Sequence, residues 1–217
     1  MSLIFDPFLR ESAPTRLDLY RRTVTFLGVM NWHAHKLYPL VTALCLSLPF
    51  SGPVFAQDDA GQLETWLSDL AQADEAEALR LSREIERAWS KSGSTALDML
   101  LRRGREALQN EDAATAIDHL SALTDHAPEF AEGYHLRATA YFMTERYGPA
   151  LGDLQQVIAL NPQHYNAIFG LGTIFAELGD YVRAEQAFRM VLGLHPHHAQ
   201  ATQALDALKR QGIGHTL

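Results

Sequence analysis

Residues 134–162 read YHLRATAYFMTERYGPALGDLQQVIALNP, and residues 168–196 read IFGLGTIFAELGDYVRAEQAFRMVLGLHP. Laid over each other, the two stretches keep step to their last residue, because Pro162 and Pro196 lie 34 residues apart. Stepping back by the same interval reaches Pro128 and a third stretch, LLRRGREALQNEDAATAIDHLSALTDHAP, over residues 100–128. Leu100, Tyr134 and Ile168 fall into one column, Gly104, Ala138 and Gly172 into a second, and Ala116, Ala150 and Ala184 into a third. Leu120, Leu154 and Phe188 make a fourth. A fixed period of this length marks a repeat architecture, in which a unit cannot bury its apolar face alone and must stack on its neighbours.

Within each unit the apolar and small residues recur at helical spacing, and strand-like alternation is missing after Ala56. Each unit is therefore expected to be two helices joined by a turn. In the last unit the turn is Leu178-Gly179-Asp180-Tyr181, where Gly179 supplies the left-handed residue that ends the first helix. The proline closes the second helix and opens the next unit.

In spacing, in the small mid-helix residue, in the second-helix alanine and in the closing proline, these segments resemble tetratricopeptide repeats. The first unit departs from the pattern, with Ala107 at an aromatic position and Ala113 at the usual turn tyrosine. The resemblance implies an all-α, right-handed superhelical solenoid with a binding role, in three units over 97–130, 131–164 and 165–198. Tetratricopeptide domains that grip chaperone C-terminal carboxylates use a Lys and an Asn on the first helix and a Lys and an Arg on the third. Here Leu101, Arg105, Asn166 and Gly170 stand at those places, so that clamp is not carried over.

Both ends of a solenoid need covering. Residues 57–96 read as a degenerate helix pair turning Trp66, Leu70, Leu79, Ile85 and Trp89 toward the first repeat, and residues 199–217 as a capping helix with a fraying tail. Residues 1–56 form an N-terminal extension containing, from about residue 30, the order of a secretory signal: Lys36, an apolar run over 40–48, then Val54 and Ala56 ahead of acidic Asp58 and Asp59. Pro39, Pro49 and Pro53 argue against a membrane-spanning helix. The expectation is a periplasmic or secreted protein starting at Gln57, the alternative an inner-membrane tether through an uncleaved signal. Leu44 before Cys45 does not suit a lipoprotein signal, and Arg21-Arg22 is a poor twin-arginine match.

Composition narrows the function. The 217 residues are 47% hydrophobic and 20% charged, ordinary for a folded chain, and the net charge of -8 gives no footing for a phosphate backbone, so nucleic acid is not an expected partner. Removing residues 1–56 takes 5 of 18 basic and 3 of 26 acidic residues, leaving 13 against 23 and a still more acidic folded part. The single Cys45 excludes an internal disulfide or a Cys-rich zinc site. His195, His197 and His198 cluster around Pro196 in what reads as an exposed turn, with no carboxylate nearby in sequence to complete a metal site. Asp118, His119 and Ser121 lack a nucleophile elbow, and Gly170 and Gly172 lie in a helix rather than a phosphate loop. No cofactor, no metal and no catalysis are expected.

The inner face of the superhelix remains. It is lined by the second, fifth, ninth, twelfth and thirteenth positions of each first helix, and its expected binding residues are Leu101, Arg105, His135, Thr139, Phe142, Met143, Asn166, Phe169 and Thr173, with Asp98, Glu132 and Glu177 at the rim. Aromatic anchors beside an adaptable Met suit a peptide or helix of a partner protein. The functional expectation is a non-enzymatic adaptor in the cell envelope, and the alternative a structural module that self-associates through its helical edges. Between the paired helices, Arg137 with Asp153 in the second unit and Leu171 with Ala187 in the third suggest a buried ion pair replaced by an apolar contact.

Overall fold

The structure is a computed structural model that describes residues 55–210, with side chains from residue 61. The extension, nearly all of the expected signal segment with Cys45, and the tail from residue 211 lie outside the described residues. Among the described residues the secondary structure is wholly helical: α1 (Phe55–Leu70), α2 (Glu75–Trp89), α3 (Thr95–Gln109), α4 (Ala113–His126), α5 (Ala131–Met143), α6 (Tyr147–Leu160), α7 (Tyr165–Glu177), α8 (Tyr181–Leu194) and α9 (Ala199–Arg210). None of them is long and apolar enough to cross a membrane. The pairs α3–α4, α5–α6 and α7–α8 stack as an all-α helical-repeat fold.

Local chemistry starts and stops these helices. Asp74, Asp112 and Asp180 each accept a hydrogen bond from a backbone N–H three residues on, capping α2, α4 and α8. The turn inside each unit places one residue in the left-handed region: Glu111 (φ 58°), Glu145 (φ 57°) and Gly179 (φ 75°). The following N–H then bonds back to Ala107, Tyr141 or Phe175 at 2.8–2.9 Å, satisfying a carbonyl at the helix end. Gly179 was legible as this position; the two glutamates hold it at a steric cost.

The small residues in mid-helix are packing requirements. A Cβ at Gly104 would lie 2.5 Å from Leu120, and one at Gly172 would lie 2.6 Å from Phe188. In the middle unit the contact between paired helices is polar: Arg137 donates twice to Asp153 at 2.7 Å and once to Thr124 Oγ1 at 2.7 Å. Both side chains are largely buried, so the expected ion pair forms. Arg103, its counterpart in the first unit, is exposed and joins no ion pair among the described residues.

The N-terminal hairpin α1–α2 does not cap the first repeat. Leu67, Leu70, Ala78, Leu81, Ile85 and Trp89 share a core with Tyr165, Ile168, Phe188 and Val191 of the third unit and Leu205 and Leu208 of α9. The hairpin lies lengthwise along one edge of the stack, across the turns that link successive units, where Trp89 stacks on His164 (4.2 Å between ring centroids) and His197 Nε2 meets the Ala73 carbonyl at 3.1 Å. Leu79, expected to point inward, is 57% exposed. The linker between α2 and α3 carries Gly93 in the left-handed region (φ 79°), and the hairpin packs along the edge instead of adding a layer to the end.

Candidate functional site

The first helices of the second and third units, with Leu154 of α6 and Gln200 of α9, form a cleft of about 270 Å³. Its lining combines Ala138, Phe142, Leu154, Phe169 and Ile174 with the polar groups of His135, Thr139, Asn166, Thr173 and Gln200. The two threonines are turned back on their own helices, Thr139 bonding the His135 carbonyl at 3.1 Å and Thr173 the Phe169 carbonyl at 3.0 Å, which leaves their methyl groups to line the cleft. The hollow is mostly apolar with a few hydrogen-bonding groups at its mouth.

Of the nine expected binding residues, His135, Thr139, Phe142, Asn166, Phe169 and Thr173 converge on this cleft. Met143 is 40% exposed but lies outside it. Leu101 is corrected: at 2% exposure it belongs to the core of α3, α4 and α5, because the turn of α3 it occupies packs against Leu120 and Leu136. Arg105 is also redirected, its guanidinium donating to Ser90 Oγ and to Glu132 Oε1, each at 3.0 Å. Phe142 and Phe169 are not free of the core either, since Phe169 packs 5.5 Å from Phe188 and Phe142 5.8 Å from Tyr147.

The rim residues divide in the same way. Glu132 is buried instead of exposed, and Asp98 accepts from the Ser92 backbone (2.9 Å) and hydroxyl (2.6 Å), fixing the linker. Asn166, one period further, donates to Glu86 Oε1 at 3.1 Å. The second position of each repeat is thus occupied by the hairpin and its attachments. Gln200, at the same phase beyond the last repeat, lines the cleft; continuing the 34-residue count past Pro196 would have found it.

A second, more polar site lies in the seam under the hairpin. Glu132 accepts from His135 Nδ1 (3.3 Å) and His164 Nε2 (3.2 Å) as well as from Arg105. Burial alone would raise the Glu132 pKa, but the hydrogen bonds donated by His135 and His164 hold it well below the usual carboxylate range. Burial lowers the pKa of His164 against that of an exposed imidazole, in opposition to its bond with Glu132. Of the histidines expected to form an exposed cluster only His197 is exposed; His195 is 8% exposed and His198 7%, and burial brings His195 down to about 4. Ser82 donates to the Ala78 carbonyl (2.7 Å), so its oxygen accepts from His195 Nε2 at 3.0 Å. That leaves the buried His195 Nδ1 without a partner.

Glu132, His135 and His164 place one ligand atom each within 4.8 Å of one another, a spacing a metal ion could use. Their hydrogen bonding argues for a latch instead. His164 Nδ1 accepts from the Ala167 N–H at 3.2 Å while capping α7, so the neutral ring carries its proton on Nε2, the atom that would have to ligate. Arg105 already supplies Glu132 with a countercharge.

The Tetratricopeptide repeat family model matches residues 101–153 and 135–199. These residues are tetratricopeptide repeats. A TPR repeat-containing protein of Rhizobium etli is 24% identical over 143 residues, spanning 66% of this chain and 70% of that protein. The crystal structure of MamA superposes with a TM-score of 0.51 at 23% identity, covering 67% of this chain and 84% of that one. The first TPR domain of Spaghetti (RPAP3), bound to the HSP90 peptide SRMEEVD, gives 0.51 at 24% identity over 53% of this chain and 91% of that one. At these identities the structural likenesses establish the TPR fold.

Proposed function

We propose that the chain is a non-enzymatic adaptor that captures an extended segment of a partner protein in the α5–α7 cleft, and that it works in the cell envelope after export. The observation that carries this reading is the cleft itself: a concave, largely apolar hollow assembled from equivalent helices of two consecutive repeats, with hydrogen-bonding groups at its mouth. At about 270 Å³ it takes one or two apolar side chains, not the whole apolar face of a helix. The Spaghetti TPR domain with its HSP90 peptide offers a precedent for a repeat array of this fold holding a peptide. The basis for export is the signal-like order of residues 30–56, and mass spectrometry of the native protein should find Gln57 at the N-terminus.

Thr139→Arg is the direct test of the cleft. Thr139 is exposed, so a long side chain there obstructs the hollow without entering the core. Loss of peptide binding with unchanged melting is expected; unaffected binding would reject the cleft as the site.

A further inference from the structure

Asn166 lines the apolar cleft and also two hollows beside α2, so the cleft opens at this residue toward the hairpin. The group met there is the Glu86 carboxylate, to whose Oε1 Asn166 Nδ2 donates at 3.1 Å and the Tyr165 hydroxyl at 3.4 Å. Glu86 is exposed, and none of the ion pairs among the described residues includes it. Two neighbouring cations are already engaged: Arg87 with Glu84 at 2.6 Å and Arg105 with Glu132 at 3.0 Å. Two hydrogen bonds from neutral donors orient the carboxylate without neutralising it.

Resting on the cleft as the peptide site, we infer that the ligand is an extended peptide with a large apolar side chain in the α5–α7 cleft and a lysine or arginine beside it, seated on Glu86. An anchor in the cleft brings its neighbours past Asn166, since one extended residue advances the chain by about 3.3 Å. The cation then completes an ion pair on the rim, where Glu86 already holds its geometry. The net charge of -8 attracts such a ligand from a distance and repels an acidic one. The specificity is the reverse of that expected for an acidic tail, such as the EEVD end of the peptide held by Spaghetti.

The probe is an array of nonapeptides with a central Leu, Phe or Met flanked by Lys, Gln or Glu, followed by fluorescence titration of the best apolar anchor in its three flanking forms against the full chain. Lys is expected to bind about tenfold more tightly than Glu at low salt, with Gln between. Glu86→Gln, which keeps an acceptor for Asn166, should bring the three within about twofold, while Arg83→Gln, removing the remaining cation on that turn of α2, should favour Lys further. Equal binding of the three forms, a preference for Glu, or a Lys preference that survives Glu86→Gln would overturn the inference while leaving the cleft intact. Tight binding insensitive to Thr139→Arg would overturn the cleft itself, and no binding by any array member would overturn both.

Discussion

The cleft and the seam meet at His135 of α5, yet they are built by opposite rules. In the cleft the floor is apolar, with half-buried Phe142 and Phe169 over buried Ala138, Leu154 and Ile174, and the threonine hydroxyls bond back to their own helices. In the seam the side chains are polar and buried or half-buried, and several are bonded across an element boundary: Arg105 to Glu132, His164 to Glu132, Ser82 to His195. An open apolar surface retains free energy for a ligand, whereas a closed polar network has committed its bonds to one arrangement. On the proposed reading the first region binds and the second holds the hairpin in place.

The largest expected effect lies behind both regions. Asp153→Ala strands Arg137 in the joint of the middle unit, where the two side chains are 16% and 10% exposed, and should cost about 3–5 kcal/mol. Thermal melting checks it, and an unchanged midpoint would mean that the pair carries no stability. Because α5 contributes to cleft and seam alike, both should loosen together.

Trp89→Ala separates them. The ring fills the space between α2, His164 and Tyr165, and its loss should cost about 3 kcal/mol and release the hairpin. Hydrogen exchange should rise in residues 75–89 and much less in α5 and α6. Uniform acceleration throughout would show that the seam is not a distinct unit.

Acid should act on the seam alone. His164, His195 and His198 all have lowered pKa values in the folded chain, with burial the leading cause. Protonation therefore favours the unfolded state, where the ordinary value is about 6.5. Stability is complete above that value and declines as pH falls from about 6.5 toward about 4, the folded value of His195. A loss on the order of 2 kcal/mol across this window is expected, and His195→Gln should flatten the profile. A flat wild-type profile would contradict neutral, buried histidines in the seam.

The smallest effect tests the turns and leaves the comparison untouched. Glu145→Gly replaces a side chain held at φ 57° by the residue suited to that backbone, and should raise stability by up to about 1 kcal/mol. Denaturant titration resolves a change of that size, and destabilisation would show that Glu145 supplies a contact worth more than the strain.

These two regions also explain what could be read from the sequence. The repeats, their turns, the Arg137–Asp153 pair and most of the cleft follow from one 34-residue period, because a column of equivalent positions faces one direction in every unit. Leu101 shares its column with His135 and Phe169 but is buried, since α3 packs it against Leu120 and Leu136, a difference between units that a period does not carry. The seam was illegible for another reason. Its partners, such as Trp89 with His164 and Ser82 with His195, are distant in sequence and belong to a hairpin outside the repeat, so no spacing rule relates them. His195 was not legible as buried, because the helix whose Ser82 meets it is more than a hundred residues away.

The most direct measurement of the central claim is amide hydrogen exchange of the full chain with and without a saturating array peptide. The account predicts added protection in residues 135–143 and 166–173, along the cleft, with the buried seam around His164 and His195 unchanged. Protection confined to α2 and residues 195–200, with the cleft unaffected, would contradict it.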